Sequence, residues 1–278
     1  MEGSSEQRIL LEKRNQVGYI TFNRPEKLNP LRVEDYILYN DLVNDCEKDD
    51  NIRAVILTGK GRAFTVGDDL DAYPGSEEEE GFEGDAGLAA MTEGKFLEVE
   101  VSGYRFPLHK ASLTIMNSGK VWIAAVNGDC WLSEFVFPMD FVIAADVATF
   151  AQAEVRAGIT PGGGATQILP RLLGRRRAIE FLLLSEAISA EEAYRIGMVN
   201  KVVSLSKLMA EAEALAMKMI SYPLSSIKLV KMAVTKAQDL SLEEGLNVEQ
   251  WYAGISTQSE EFKSFYQKFM AKKKAKNK

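Results

Sequence analysis

Apolar and polar residues alternate along the first part of the chain. The segment ILLEKRNQVGYITFNRP alternates on both sides of a Gln-Val-Gly turn, which predicts a β-hairpin that ends at Pro25. Residues 32–50 carry apolar side chains at helical spacing, and the apolar run IRAVILTG, stopped by Gly59 and Gly61, predicts a buried strand. The order strand, helix, strand indicates a βαβ crossover and therefore an α/β fold with parallel pairing.

The later pattern continues with strands and ends in helices. Further strands are predicted in AFTVGDDL, which breaks at Gly67, and in VWIAAVNG and ATFAQAEV. From Gln167 the spacing is helical except for the short strand VNKVV, and residues 206–278 are almost wholly helical. We therefore expect an α/β core over residues 1–205 and a helical lobe over residues 206–278.

Two segments lie between the predicted strands. Residues 74–87 are rich in glycine and hold six acidic side chains, so we expect a mobile loop that is either a solvated excursion or a flap over a site. A helical segment follows over residues 88–118, and Pro107 is expected to interrupt it.

The charge and composition exclude several kinds of function. A net charge of −7 disfavours a nucleic-acid surface, and no apolar run reaches the roughly 18 residues that cross a bilayer. The carboxylates of Asp68, Asp69 and Asp71 lack the spacing of a Ca²⁺ or Mg²⁺ loop. The single histidine, His109, leaves no His-rich metal site and little basis for a Ser/His/Asp hydrolase. We expect no metal, no nucleic-acid partner and no membrane association.

The cysteines indicate the compartment. Cys46 and Cys130 do not form a disulfide framework, so a reducing environment is the simpler interpretation. The first residues, MEGSSEQ, contain no apolar segment of the kind found in a secretory signal. We expect a cytoplasmic protein.

Two glutamates are the candidate chemical groups. Glu134 and Glu154 each lie among apolar or small neighbours. Removal from water disfavours the charged form of a carboxylate, which raises its pKa toward the range of acid and base catalysis at neutral pH. The alternative is a structural role, in which each glutamate forms an ion pair inside an oligomer.

Several stretches together resemble the crotonase (enoyl-CoA hydratase/isomerase) superfamily. They are NRPEKLNPL, AFTVGDDL, AAVNG, FAQAEVRAGITPGGGATQILPRLLG and ISAEEAYRIGMVNKVV, and the likeness covers nearly the whole chain. The resemblance implies a spiral of ββα units with a C-terminal helical trimerisation lobe, hence a homotrimer or a dimer of trimers. It also implies an acyl-CoA thioester as substrate, with two backbone N–H groups that stabilise its enolate-like oxyanion.

The resemblance also implies roles for particular residues. Family hydratases carry two glutamates twenty positions apart, as Glu134 and Glu154 are, which hold a water and deliver its elements across a 2,3-double bond. The oxyanion donors would be the N–H groups of Asp68 and Trp131. The remaining substrate contacts would come from Arg24 and Lys27, which either meet the CoA phosphates or are solvated charges, and from Val66, Cys130 and Gly162.

The chain departs from the family pattern in one turn. The family sequence N-G-x-x-x-G-G-G-x-E is replaced by NGDCWLSE, which is two residues shorter and lacks the three glycines. Trp131 then occupies the position of the second oxyanion glycine, and we expect Trp131 or Cys130 to offer the N–H. The indole is expected to line the acyl pocket or to pack in the core. Pro138 is expected to bend or end the helix that carries Glu134.

These observations predict an enoyl-CoA hydratase that needs no metal or redox cofactor. A single-carboxylate isomerase or acyl-CoA hydrolase of the same fold is the first alternative. A protein that binds acyl-CoA without turnover is the second, because the glycines of the turn are missing.

Overall fold

The computed structural model describes residues 7–69 and 107–276. The acidic segment 74–87 and most of the helical segment predicted at 88–118 lie outside the described residues. Strands β1 (Ile9–Arg14) and β2 (Val17–Phe22) form the predicted hairpin. The turn consists of Asn15 and Gln16, both at positive φ, and Val17 and Gly18 already pair in β2. The hairpin is therefore confirmed, with its turn earlier than predicted.

The remaining described strands are β3 (Ala54–Gly59), β4 (Ala63–Thr65), β5 (Val121–Val126), β6 (Asp129–Cys130), β7 (Phe141–Ala145), β8 (Thr149–Phe150), β9 (Ile188–Ser189) and β10 (Lys201–Val203). The described helices are α1 (Val33–Lys48), α2 (Pro107–Asn117), α3 (Ala165–Leu173), α4 (Arg175–Leu184), α5 (Ala190–Arg195), α6 (Leu208–Ile220), α7 (Leu224–Lys236), α8 (Leu242–Gln258) and α9 (Glu260–Lys276). Short 3₁₀ helices cover Pro25–Lys27, Ser133–Phe135, Glu154–Ala157 and Leu205–Lys207.

Successive strands alternate between two sheets. The large sheet has the order β1-β2-β3-β5-β7-β10, and the small sheet has the order β4-β6-β8-β9. Each of the pairs β3–β4, β5–β6 and β7–β8 contributes its first strand to the large sheet and its second to the small one. Neighbours from β2 to β10 and from β4 to β8 are parallel. This confirms an α/β spiral built from ββα units.

The core lies between the large sheet and the helices. β3 and β5 are apolar along nearly their whole length because both faces are covered, as is usual for parallel strands. Helix α6 packs against β3, β5 and β7 and buries Leu208, Ala212 and Ala216, which are spaced one turn apart.

Helices complete the C-terminal part of the described chain. Helices α7, α8 and α9 follow α6 and contact one another, and α7 also packs on α2. The division of the chain at residue 205 into an α/β core and a helical lobe stays a prediction. Within the described ranges, no helix is both long enough and apolar enough to cross a membrane.

Candidate active site

Glu134 lies in the 3₁₀ helix Ser133–Phe135, just after β6. The hydroxyl of Ser133 donates to the carbonyl oxygens of Cys130 at 3.0 Å and Ala151 at 2.9 Å. These bonds fix the start of this helix against the segment that follows β8. The helix has only three residues and ends before Pro138. The helix that carries Glu134 is therefore short, and a role of Pro138 in bending or ending it stays a prediction.

The side chain of Glu134 is held by main-chain donors in a dry environment. Its Oε1 accepts the N–H groups of Gly163 at 2.9 Å and Ala165 at 3.0 Å, and the residue is 3% exposed. Burial raises the pKa of Glu134 to about 8, because the two N–H groups offset only part of the lost hydration. The negative charges of Glu154 and Asp68 raise this pKa further. Glu134 is therefore largely protonated at neutral pH.

Glu154 follows β8 and begins the 3₁₀ helix Glu154–Ala157. Its Oε1 accepts a hydrogen bond from Gln152 Nε2 at 2.5 Å, whereas its buried Oε2 has no hydrogen-bond partner among the described residues. Burial raises the pKa of Glu154, and the charge of Asp68 adds to the shift. Gln152 also accepts the Ser133 N–H at 3.0 Å, so one buried amide connects the segments that carry the two glutamates.

Asp68 lies in the turn after β4. Leu31 N–H donates to Gly67 O at 2.8 Å and Asp69 N–H donates to Leu31 O at 2.7 Å, which makes a parallel bridge between Leu31 and Asp68. Because main-chain groups alternate in direction along a strand, the Asp68 N–H points away from Leu31. It makes no hydrogen bond to the described part of the chain. This orientation suits the predicted oxyanion donor.

Trp131 differs from its predicted role. Its N–H donates to Thr65 O at 2.9 Å within the small sheet, so this group is occupied, contrary to the prediction that it serves as the second oxyanion donor. The indole Nε1 donates to Thr149 Oγ1 at 3.2 Å, and the residue is 40% exposed. The side chain is therefore not a core residue.

A model of the enoyl-CoA hydratase/isomerase family matches residues 12–278. The chain belongs to this family, part of the crotonase superfamily. It is similar to a short-chain-enoyl-CoA hydratase of Clostridium acetobutylicum, with 32% identity covering 96% of this chain and 95% of the relative. It is also similar to a 1,2-epoxyphenylacetyl-CoA isomerase of Escherichia coli, with 31% identity covering 95% and 96% of the two chains.

A solved structure shares the fold. The enoyl-CoA hydratase from Bacillus anthracis superposes with a TM-score of 0.81 at 28% identity, covering 96% of this chain and 97% of that one. Relatives in the enoyl-CoA hydratase/isomerase family thus include both hydratases and an isomerase.

The structure places the two predicted cationic residues in different settings. The Arg24 guanidinium forms an ion pair with the buried carboxylate of Asp69, which also pairs with Arg8 and Arg32. Arg24 is therefore not a solvated charge, because its guanidinium is paired with the carboxylate of Asp69. Lys27 is exposed at the end of the 3₁₀ helix Pro25–Lys27. Contact of either residue with CoA phosphates stays a prediction.

The other predicted substrate contacts differ in how far they are buried. Val66 is half-buried between β4 and Gly67, and Cys130 is fully buried, which raises the pKa of its thiol. Gly162 is exposed, with open space on the side where a Cβ would lie. Within residues 7–69 and 107–276, no group of three His, Cys, Asp or Glu side chains is arranged to hold a metal ion.

Sequence reasoning missed three residues that hold the glutamates: Gly163, Ala165 and Gln152. A Cβ on Gly163 would lie 2.0 Å from Glu134 Oε2. The run of three glycines, 162–164, was the available signal, but it did not distinguish the glycine that contacts Glu134 from its neighbours. Gln152 had no signal beyond its place two residues before Glu154.

Proposed function

We propose that this chain is an enoyl-CoA hydratase that adds water across the 2,3-double bond of an acyl-CoA thioester. The observation that carries the proposal is the pair of carboxylates, Glu134 buried and Glu154 half-buried. The amide of Gln152 accepts the Ser133 N–H and donates to Glu154, so it connects the segments that carry them. Two titratable groups in unlike environments are the usual basis for separate acid and base roles.

Glu154 is suited to act as the base. Its Oε2 is buried without a described partner, so it can accept a hydrogen bond from a bound water. As it takes a proton from that water, the water oxygen forms a bond to C3. The electron pair of the C2–C3 double bond moves toward the thioester carbonyl, where the Asp68 N–H stabilises the developing oxyanion.

Glu134 is suited to act as the acid. With a pKa of about 8 it carries a proton at neutral pH. Oε1 accepts both main-chain bonds, which leaves Oε2 to carry that proton and deliver it to C2. Proton transfer from Glu154 back to Glu134 through solvent restores the site. This scheme requires no metal or redox cofactor, because the thioester and the two carboxylates supply the chemistry.

The proposal extends to compartment and assembly. The thiols of Cys46 and Cys130 are free and buried, which suits a reducing compartment, and we place the protein in the cytoplasm. The assembly proposed from the family resemblance is a homotrimer or a dimer of trimers.

A single-carboxylate isomerase is the second candidate. The Trp131 N–H is occupied, so Asp68 is the oxyanion donor that the geometry supports, and the Cys130 N–H stays the alternative for the second donor. The similarity to the Escherichia coli isomerase is almost equal to the similarity to the hydratases.

Glutamine variants test the assignment. We expect Glu134→Gln and Glu154→Gln each to lower kcat on a short linear enoyl-CoA by about 10²-fold or more, the usual effect of a positioned acid or base. The exposed Glu249→Gln is the matched control and keeps the parent rate. The parent kcat should fall as pH rises through about 8, because Glu134 then loses its proton.

The same series separates the alternatives. If Glu134→Gln hydrates at the parent rate while Glu154→Gln is inactive, the single-carboxylate assignment replaces the hydratase. A parent protein that binds enoyl-CoA but turns over none of a linear, branched and cyclic series is a binding protein.

A further inference from the structure

Tyr36 of α1 contacts both arms of the proposed site. Its hydroxyl donates to Asp68 Oδ1 at 2.5 Å, and its ring stacks on Phe135, with centroids 5.9 Å apart and planes 13° apart. Asp68 carries the proposed oxyanion N–H, and Phe135 is the neighbour of Glu134. Tyr36 is 5% exposed, so both contacts are made in a dry, packed environment.

The two arms come from distant parts of the chain. The turn at residues 67–69 follows β4, whereas the 3₁₀ helix Ser133–Phe135 follows β6. A substrate must meet the Asp68 N–H and Glu134 at the same time, and small errors in such a spacing reduce the rate of the chemical step severely. A side chain that touches both arms can set this spacing.

The hydrogen bond from Tyr36 also determines where the negative charge of Asp68 lies relative to the Asp68 N–H. A negative charge beside an N–H that binds a developing oxyanion opposes that binding by like-charge repulsion. The hydroxyl of Tyr36 holds Oδ1 on the side of α1, and hydrogen bonds to a charged acceptor are among the stronger ones in proteins.

We propose that Tyr36 is a positioning residue, which acts through the side chains of Asp68 and Phe135 to hold the Asp68 N–H and Glu134 at their working separation. This inference deepens the proposed function and rests on it. Tyr36 itself touches no reacting atom in this scheme, and its effect is transmitted by Asp68 and Phe135.

Tyr39 provides a matched control one turn further along α1. It is fully buried and also packs against Phe135, with ring centroids 4.9 Å apart. Its hydroxyl has no hydrogen-bond partner in the described chain. Tyr36→Phe and Tyr39→Phe therefore remove the same atom from neighbouring core positions, but only the first removes a bond to Asp68.

The test compares kinetics and hydrogen–deuterium exchange of the two variants. We expect Tyr36→Phe to lower kcat by about tenfold or more while KM changes less than threefold, because the lost bond has a charged acceptor. Exchange should speed up in the peptides that cover residues 31 and 67–69, whose amides form the Leu31–Asp68 bridge. Tyr39→Phe should change neither quantity. Equal losses in both variants, or a parent kcat in Tyr36→Phe, would overturn the proposal.

Asp68→Asn separates position from charge. The amide still accepts the Tyr36 hydroxyl, so exchange at 67–69 should stay slow. The charge that raises the pKa of Glu134 and Glu154 is gone, so the alkaline loss of kcat should move to lower pH. Glu134 is otherwise faced by the charge of Glu154 and by the N–H groups of Gly163 and Ala165, and Glu154 is faced by Gln152. The variant changes none of these groups.

The exchange measurement needs no turnover. If the parent hydrates nothing, the proposed function fails, and local protection at 67–69 still decides whether Tyr36 holds the turn. If the parent is active and Tyr36→Phe shows fast exchange without a loss of kcat, the positioning role alone fails.

Discussion

Gly163 lies so close to the carboxylate of Glu134 that its Cα has room for a hydrogen atom but not for a side chain. A Cβ there would lie 2.0 Å from Glu134 Oε2 and 2.6 Å from Leu108 Cδ2, while the N–H of the same residue donates to Glu134 Oε1. The adjacent Gly162 has nothing within 4 Å of the corresponding position. These neighbouring glycines therefore have different constraints.

We predict that Gly163→Ala lowers kcat on an enoyl-CoA by about 10²-fold, because the new methyl group displaces the acid from its donors. Gly162→Ala is the control and should retain the parent kcat and melting temperature. Both variants are measured by steady-state kinetics and thermal unfolding. A Gly163→Ala protein with the parent kcat would show that Glu134 is not held as described.

The two glutamates could be identified from sequence, but their partners could not. Glu134 and Glu154 keep the family spacing although the turn before Glu134 is shorter, so the resemblance located both. The bond from Trp131 N–H to Thr65 O depends on the register of β4 against β6, which shifts between Ala63 and Thr65. Local sequence does not determine a pairing between strands more than sixty residues apart in the chain.

At the scale of elements, one lysine connects α7 to the core. Lys231 Nζ donates to Asp140 Oδ2 at 2.7 Å and to the carbonyl oxygens of Lys120 at 2.7 Å and Ile115 at 3.2 Å. Asp140 also accepts the Trp122 N–H at 2.8 Å. Burial lowers the pKa of Lys231 and raises that of Asp140, while the ion pair opposes both shifts.

We predict that Lys231→Met lowers the free energy of unfolding by about 3 kcal/mol, because Asp140 is left as a largely buried, unpaired charge. Adding Asp140→Asn should recover part of this loss, since the amide still accepts the Trp122 N–H without a charge. Urea unfolding monitored by circular dichroism measures both, with the exposed Lys236→Met as control. A Lys231→Met protein as stable as the parent would contradict the prediction.

Individual elements were more predictable than their arrangement. The hairpin, α1 and β3 follow from local periodicity, and each lies within a few residues of its predicted position. The spiral of ββα units was expected only from the family resemblance, and the alternation of β3–β4, β5–β6 and β7–β8 between two sheets was not predicted. Periodicity reports which face of a strand is buried but not which sheet the strand joins.

At the scale of the whole molecule, the helices leave large apolar side chains in contact with solvent. Val230 and Val234 lie one turn apart on α7 and are each 63% exposed, and Trp251 on α8 is 72% exposed. Leu229 and Met232 on the same helix are half-buried. Clustered apolar exposure of this kind is typical of surfaces that join subunits.

We predict that the protein sediments as a multiple of the 30.8 kDa chain, with a trimer or a dimer of trimers expected. Val234→Glu should weaken the assembly, because it places a charge in an apolar contact, whereas the exposed Lys236→Glu should not. Sedimentation velocity at micromolar concentration measures all three proteins. A stable parent monomer would contradict the assembly, and an unaffected Val234→Glu particle would exclude this face of α7 from the contact.

Glu134 is anchored by peptide groups instead of side chains, and this affects how such a protein can diverge. Every amino acid except proline carries the N–H that positions 163 and 165 supply, so the donor itself does not depend on which side chain stands there. Position 163 resists change because any added carbon meets the carboxylate, and position 165 is constrained by its complete burial in the core. Point mutations can therefore replace the side chains around the acyl group one at a time, while the acid is inherited in place.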